Sequence, residues 1–319
     1  MLDYKHQIIK ITKAQKILKI LKQKKIEAFI VGGAVRDWIL KLPIRDVDIT
    51  TNAHPSVIRK IFSSEFISMD NRYGCVKIFF QNHYFDITTY RKEKNYFDYR
   101  HPSDIEFVSD VKEDIMRRDF TINALLLDNN NNIFDYVNGI FDLKNRLIRT
   151  IGNIHNKLTE DPLRMMRIFY FQAKLNFEIE EETFSILKKN IFLLQKIKNQ
   201  MLLKEFSKIL QQKNIQKAFS SLQETKAFDF VKSLKKGIIF VLRNNLQDVS
   251  EELFFSLSFI LDPQIIHDFP FATRFKKLLK KIFCWHQQQK SNDLLCYNDE
   301  YFQMLKEQIQ KIMQNECVK

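Results

Sequence analysis

Phe29-Ile-Val-Gly-Gly-Ala-Val-Arg-Asp37, Trp38-Ile-Leu-Lys-Leu-Pro43 and Ile44-Arg-Asp-Val-Asp-Ile-Thr-Thr51 run consecutively, and their reading decides the fold. They predict a strand, a Gly-Gly turn, a short helix and a second strand bearing two aspartates one residue apart. Alternate side chains of a strand share a face, so Asp46 and Asp48 point the same way, about 7 Å apart. Two carboxylates so placed can share hard divalent cations. Mg2+ suits them, because it takes oxygen ligands and keeps substrate phosphates in its shell. Gly32 and Gly33 lack Cβ atoms, which lets the backbone approach a phosphate. A helix starting near Ala34 would aim its positive end at the same place. Each part is ordinary alone. No Gly-Lys-Ser/Thr follows the glycines, so this is not a P-loop, and Asp-x-Asp is common on solvated strand edges.

The 319 residues leave room for two or three domains with substantial cores. Six glycines and six prolines are few for this length, which favours long helices. The formal net charge of +13 fits a polyanionic partner, either nucleic acid or an acidic membrane surface. No apolar run reaches the length of a membrane span, and the N-terminus lacks the apolar core of a secretory signal. Its lysine-rich start carries Ile8, Ile9, Ile17, Leu18 and Leu21, the pattern of an amphipathic helix rather than of an Arg- and Ser-rich presequence. Cys75, Cys284, Cys296 and Cys317 are irregularly spaced without a Cys-x-x-Cys pair. That argues against a zinc site and a disulfide framework, and for a reducing cytoplasm.

Along the chain, residues 5–25 predict a helix and 56–62 a short one. Residues 74–80 and 84–89 predict a hairpin about Gln81-Asn82-His83. Asp86 then stands on a strand able to lie beside the Asp46/Asp48 strand. Residues 91–110 read as a long polar loop containing Tyr96, Phe97, Tyr99 and Phe107, a length often functional. A helix should end near Arg118 and a strand begin near Ile122. A further strand is expected at 133–136, and a loop or short helix at 142–145. From about Leu158 the pattern is helical, which puts the boundary of an α/β head near 140–160.

Two later stretches carry chemistry. In Thr159-Glu-Asp-Pro-Leu-Arg-Met-Met-Arg167, Pro162 suits a first helical turn, and Asp161, Arg164 and Arg167 recur every three residues. One reading is an N-cap followed by solvated arginines. The other is a base reader: Asp accepts hydrogen bonds and Arg donates them. Cytosine and adenine both present an amino donor beside a ring-nitrogen acceptor. Such a pair would take C and A, and would leave charges unpaired against U and G. In Arg117-Arg-Asp-Phe-Thr-Ile-Asn-Ala124, two arginines beside an acid can serve triphosphate and ribose. The alternative is a surface cluster of local salt bridges, worth little.

Gly32-Gly-Ala-Val-Arg-Asp37, Asp46-Val-Asp48, Arg117-Arg-Asp-Phe-Thr-Ile-Asn-Ala124 and Glu160-Asp-Pro-Leu-Arg164, in this order and spacing, resemble the class II tRNA nucleotidyltransferases. That family comprises CCA-adding enzymes and bacterial poly(A) polymerases. The match covers about residues 25–180. It implies an α+β fold: a polymerase-β-like head of mixed sheet and helices over 1–145, a helical neck at 146–205 for base recognition, and a helical body and tail at 206–319 for tRNA. It implies two Mg2+ ions held by Asp46 and Asp48, with Asp86 as third catalytic carboxylate. It implies that Gly32, Gly33, Arg36 and Arg118 contact the triphosphate, and Asp119 the ribose with Asn123 in support. Asp161 and Arg164 would read the base, and Arg167 would bind nucleotide or brace that pair.

The implied activity is template-independent addition of the tRNA 3′-terminal CCA from CTP and ATP by two-metal phosphoryl transfer. The implied setting is cytoplasmic, with no membrane and no obligatory protein partner. A CC- or A-adding specialist, a poly(A) polymerase and a non-catalytic RNA-binding protein are the alternatives. Thr88-Thr-Tyr-Arg-Lys-Glu93 and the segment to Asp110 resemble the family's flexible loop, which disfavours the CC-only reading. Tyr73-Gly-Cys-Val-Lys77 looks more like CCA-adding enzymes than poly(A) polymerases. The chain departs from the family at Lys41, where glycine is usual, and at Tyr170, where a third arginine is frequent. Arg274-Phe-Lys-Lys-Leu-Leu-Lys-Lys-Ile-Phe283 is a basic amphipathic stretch suited to RNA phosphates or simply to solvent.

Overall fold

A computed structural model describes residues 2–231, 233–289 and 300–316. The chain divides into two compact units, residues 1–161 and 162–319.

The first unit opens with α1 (Leu2–Gln23), whose Ile11, Ala14, Leu18 and Leu21 recur at three- and four-residue spacing and are buried. β1 (Ala28–Val31) leads through the Gly-Gly turn into α2 (Gly33–Ile39), then β2 (Asp48–Thr51) and α3 (Pro55–Ile61). β3 (Phe66–Asp70), β4 (Cys75–Phe80) and β5 (His83–Thr89) follow. β3 was not expected. After β6 (Arg91–Lys94) and β7 (Asp104–Phe107) come α4 (Val111–Arg117), β8 (Leu126–Leu127), β9 (Ile133–Phe134), α5 (Gly139–Asn145) and α6 (Ile154–Glu160). A 3-10 turn at Thr121–Asn123 occupies the place where a strand was expected near Ile122.

Seven strands form one mixed sheet in the order β3-β4-β5-β2-β1-β8-β9. β2 and β5 run parallel, the other pairs antiparallel. Along β5 the alternation is clear: Phe85, Ile87 and Thr89 are buried, and Tyr84, Asp86 and Thr88 are on the more open face. The register aligns Val31 with Asp48, Asp48 with Asp86 and Asp86 with Lys77. Neighbouring strands lie about 4.8 Å apart, so this row crosses the sheet in steps of that size.

Residues 91–110 are not a structureless loop. β6 and β7 pair as an antiparallel ribbon, with Arg91 opposite Phe107 and Lys94 opposite Asp104. Phe107 explains Gly74, whose φ is +67°: a Cβ there would lie 2.4 Å from the Phe107 ring. The long polar segment thus gains a backbone ladder and an aromatic anchor.

The second unit is helical: α7 (Leu163–Leu175), α8 (Glu181–Asn190), α9 (Asn199–Leu210), α10 (Ile215–Glu224), α11 (Leu234–Arg243), α12 (Glu251–Leu261), α13 (Ile265–Asp268), α14 (Thr273–Gln289) and α15 (Glu300–Glu316). Phe206 of α9 packs against Phe219 and Phe254 at 5.7 and 5.1 Å between ring centroids. α14 buries Leu279 and Ile282, while Lys277 and Lys280 are exposed. Among the described residues no helix is long and apolar enough to cross a membrane. Cys75 and Cys284 are free thiols; Cys296 and Cys317 lie outside the described residues.

Candidate active site

The open face of the sheet carries the carboxylates. Asp48 begins β2, and Asp86 lies beside it in register on β5. Asp46 precedes the strand rather than belonging to it, on a segment pinned by buried Ile44 and Val47. Asp48 reaches solvent yet is hemmed in by protein. This crowding raises its carboxyl above the ordinary range; Arg118 pulls it back, and Asp86 and Asp46 push it up further. Asp48 therefore feels both neighbouring carboxylates. Asp86 Oδ1 is buried without a hydrogen-bond donor, its cationic neighbour Lys77 standing 3.5 Å away. An oxygen-only set with a buried acceptor to spare fits a hard divalent cation. Among the described residues no three such side chains already stand at the spacing of a single ion's ligands. The fit rests on the Asp48/Asp86 register and on the repulsion at Asp48 that a cation would relieve.

The Gly-Gly turn lies at the end of β1. Gly32 has φ +81°, a conformation strained for any residue with a Cβ. The place its Cβ would fill lies 3.7 Å from Arg118 Nη1 and 3.6 Å from the Asn123 carbonyl oxygen. Arg118 thus overhangs a turn with no side chain. Its Nε is buried with no hydrogen-bond partner, a donor that an anion would satisfy.

Arg36 is placed differently from Arg118. It is 3% exposed, its guanidinium donating to Asp37 Oδ1 at 2.8 Å and to Asn123 Oδ1. Asn123 Nδ2 donates in turn to Asp119 Oδ1 at 3.4 Å, which also accepts from the Phe120 N–H at 2.8 Å. A polar chain therefore runs Asp37–Arg36–Asn123–Asp119. It ties the helix after the glycines to the acid expected at the ribose.

Asp114 was missed by sequence reading. It is fully buried on α4. Its Oδ1 accepts from Arg117 Nε at 2.8 Å and the Arg91 N–H at 3.3 Å; its Oδ2 accepts from Arg118 Nη2 at 2.9 Å and Thr50 Oγ1 at 3.3 Å. Burial alone would raise this carboxyl, but Arg118 and Arg117 more than offset it and hold it below the ordinary range. Arg117 continues to Glu93 at 3.1 Å, and Glu93 also pairs with Arg91 at 2.7 Å. The two arginines are therefore neither a surface cluster nor bonded mainly to Asp119. They radiate from one buried acid, and Arg117 fastens the ribbon while Arg118 faces the turn. The available signal was the three- and four-residue spacing from Asp114 to Arg117 and Arg118 on one helix.

Asp161 follows α6 and closes the first unit; Pro162, not Asp161, is the N-cap of α7. On α7, Arg164 is 7% exposed, whereas Arg167 is exposed with its guanidinium 5.9 Å from the Phe171 ring centroid. The three-residue recurrence thus spans unequal environments. A cleft of about 520 Å3 in the first unit is lined by Lys92, Glu93, Lys112, Arg117, Asn156 and Lys157 among others. The aspartates are not part of it and lie on the open sheet.

Residues 28–149 match the family described as Poly A polymerase head domain, and residues 176–236 that described as Probable RNA and SrmB- binding site of polymerase A. The chain is 39% identical over 230 residues to the CCA-adding enzyme of Staphylococcus epidermidis, covering 72% of this chain and 57% of that protein. It is 41% identical over 218 residues to the CCA-adding enzyme of Ligilactobacillus salivarius, covering 68% and 54%. It therefore spans just over half the length of these relatives. Among solved structures, the Bacillus stearothermophilus CCA-adding enzyme in complex with CTP aligns with a TM-score of 0.73 at 27% identity, over 85% of this chain and 69% of that one. The Thermotoga maritima CCA-adding enzyme complexed with tRNA aligns in fold at a TM-score of 0.66 and 20% identity, over 88% and 72%.

Proposed function

We propose that this chain, which matches the Poly A polymerase head domain over residues 28–149 and is 39% identical to a CCA-adding enzyme over 230 residues, adds or repairs the 3′-terminal CCA of tRNA from CTP and ATP. The observation that carries this is the Asp48/Asp86 register beside an arginine-capped glycine turn. In the reaction, the RNA 3′-hydroxyl oxygen bonds to the α-phosphorus of the incoming nucleotide, and pyrophosphate leaves. Mg2+, held by Asp46 and Asp48 with Asp86 alongside, would supply Lewis-acid neutralisation of charge at the reacting phosphoryl group. Gly32 and Gly33 leave space for the triphosphate, and Arg118 donates to it. Buried Arg36 holds the turn and Asn123, and Asn123 orients Asp119 toward the ribose. Asp161 and Arg164 select cytosine and adenine through the donor–acceptor order of the base edge. Arg167 supports the nucleotide side of that pair.

The test is nucleotide incorporation with Mg2+ present. tRNAs ending before CCA or after CC are supplied with each nucleotide singly and together. Addition of C, C and A is the expected result. A added only to the CC-ending tRNA would make the protein an A-adding specialist, and C added without A a CC-adding one. Unlimited A would indicate poly(A) synthesis. No incorporation would leave an RNA-binding protein without catalysis.

A further inference from the structure

The hairpin of β4 and β5 exposes two aromatic rings whose place the reaction chemistry does not explain. Phe79 and Tyr84 pair across the strands, with ring centroids 4.9 Å apart and planes tilted by 48°. They are 40% and 64% exposed. A cross-strand aromatic pair stabilises a hairpin modestly, but that role does not require a face left open to water. Strand alternation sets Tyr84 on the same open face as Asp86, two residues and about 7 Å along β5. Lys77 lies between Phe79 and Cys75 on the same face of β4. Lys13 and Lys16 of α1 hold the Gln81 turn from the opposite side of the sheet, where Lys13 also meets His83 Nδ1 at 3.0 Å. Aromatic rings beside Lys77, continuous with a carboxylate site that would take a nucleic-acid end, form the combination that binds single-stranded RNA.

We propose that Phe79 and Tyr84 form a stacking platform for a base close to the 3′ end of the RNA that receives the nucleotide. This deepens the nucleotidyltransferase reading and rests on it for the identity of the RNA. The rings grip a π-face and not a base edge, so the platform holds any base. Lys77, on the same face, is the cation placed to meet a flanking phosphate. Growth of the end by one nucleotide therefore needs no change at this subsite.

Fluorescence anisotropy of labelled tRNA ending before CCA tests binding directly, and steady-state incorporation gives KM for RNA and for CTP. Leucine keeps apolar area but has no π-face. Tyr84→Leu is expected to weaken RNA binding and raise the RNA KM about tenfold, within the range for a lost base–aromatic stack, with the CTP KM unchanged. Phe79→Leu should act in the same direction, and Tyr84→Trp should restore binding. Thermal melts near wild type would show that the hairpin survives. Wild-type RNA affinity in both leucine variants would overturn the proposal. So would a wild-type dimer that Tyr84→Leu dissociates without loss of RNA affinity, since a second copy would then cover the face. A wild type that binds RNA through Tyr84 but incorporates nothing would sink the transferase reading and leave the platform standing.

Discussion

Asp48 of β2 and Asp86 of β5 stand opposite each other on parallel strands, separated by 38 positions in the chain (86 − 48). Burial, and then repulsion from Asp86 and Asp46, holds the Asp48 carboxyl above the ordinary aspartate range. As pH rises past the ordinary aspartate range, the folded chain keeps a proton that the unfolded chain has lost. This contribution to stability therefore falls as pH rises.

Asp48→Asn removes that penalty together with a proposed metal ligand. At pH 7 without divalent cations the variant should melt higher by roughly 1–2 °C, the size being limited by solvent screening. Nucleotide incorporation should fall at least about a hundredfold. Mg2+ should raise the wild-type Tm and leave the variant's nearly unchanged. Differential scanning fluorimetry with and without Mg2+ measures both, and equal Mg2+ shifts would exclude Asp48 as a ligand.

Asp114→Ala would strip two arginines of a buried anion. Breaking such a pair costs about 3–5 kcal/mol, so the urea midpoint should drop sharply. The Asp114 carboxyl is held below 3.8, so its contribution is complete above that value and disappears as pH falls through the lowered one. Wild type should lose more stability below pH ~4 than the variant does. A denaturation series from pH 3 to pH 7 with parallel curves would refute this assignment.

Lys41 holds φ +55° at an exposed turn. The left-handed conformation costs a residue with a Cβ about 1–2 kcal/mol, part of which glycine gives back in unfolded-state entropy. Lys41→Gly should therefore stabilise by up to about 1 kcal/mol, visible as a Tm rise of a few degrees. A lower Tm would mean that the lysine side chain compensates the strain.

Arg118 and Asp161 should separate affinity from choice. Arg118→Lys loses the planar fork beside Gly32 and should raise KM for CTP and ATP alike, by about tenfold. Asp161→Ala should instead erase the preference for C and A over U, with tRNA affinity retained. Competition assays with mixed nucleotides discriminate the two outcomes. Selectivity intact in Asp161→Ala would remove that residue from base reading.

Much of the site is local and therefore legible along the chain. The strand–turn–helix around Gly32 and the alternation of the β4–β5 hairpin depend on residues within a few positions of one another. Ribbon residues 91–110 were misread because their apolar positions are sparse. Backbone pairing and the Phe107 ring seated over Gly74 supply the order that hydrophobic periodicity did not announce. Asp114 escaped notice because a lone aspartate on a short helix has the same sequence appearance whether solvated or buried.

By itself, then, the sequence determined the chemistry available: which carboxylates, glycines and arginines the chain carries, and the short elements that present them. Only the tertiary structure decided which of them meet. Strand register brought Asp86 to Asp48. Burial turned Asp114 into the anchor of Arg117 and Arg118, and packing assigned Arg36 to the interior. The reason is physical: periodicity is written by neighbours in the chain, whereas register and desolvation arise from contacts between segments that the chain keeps far apart.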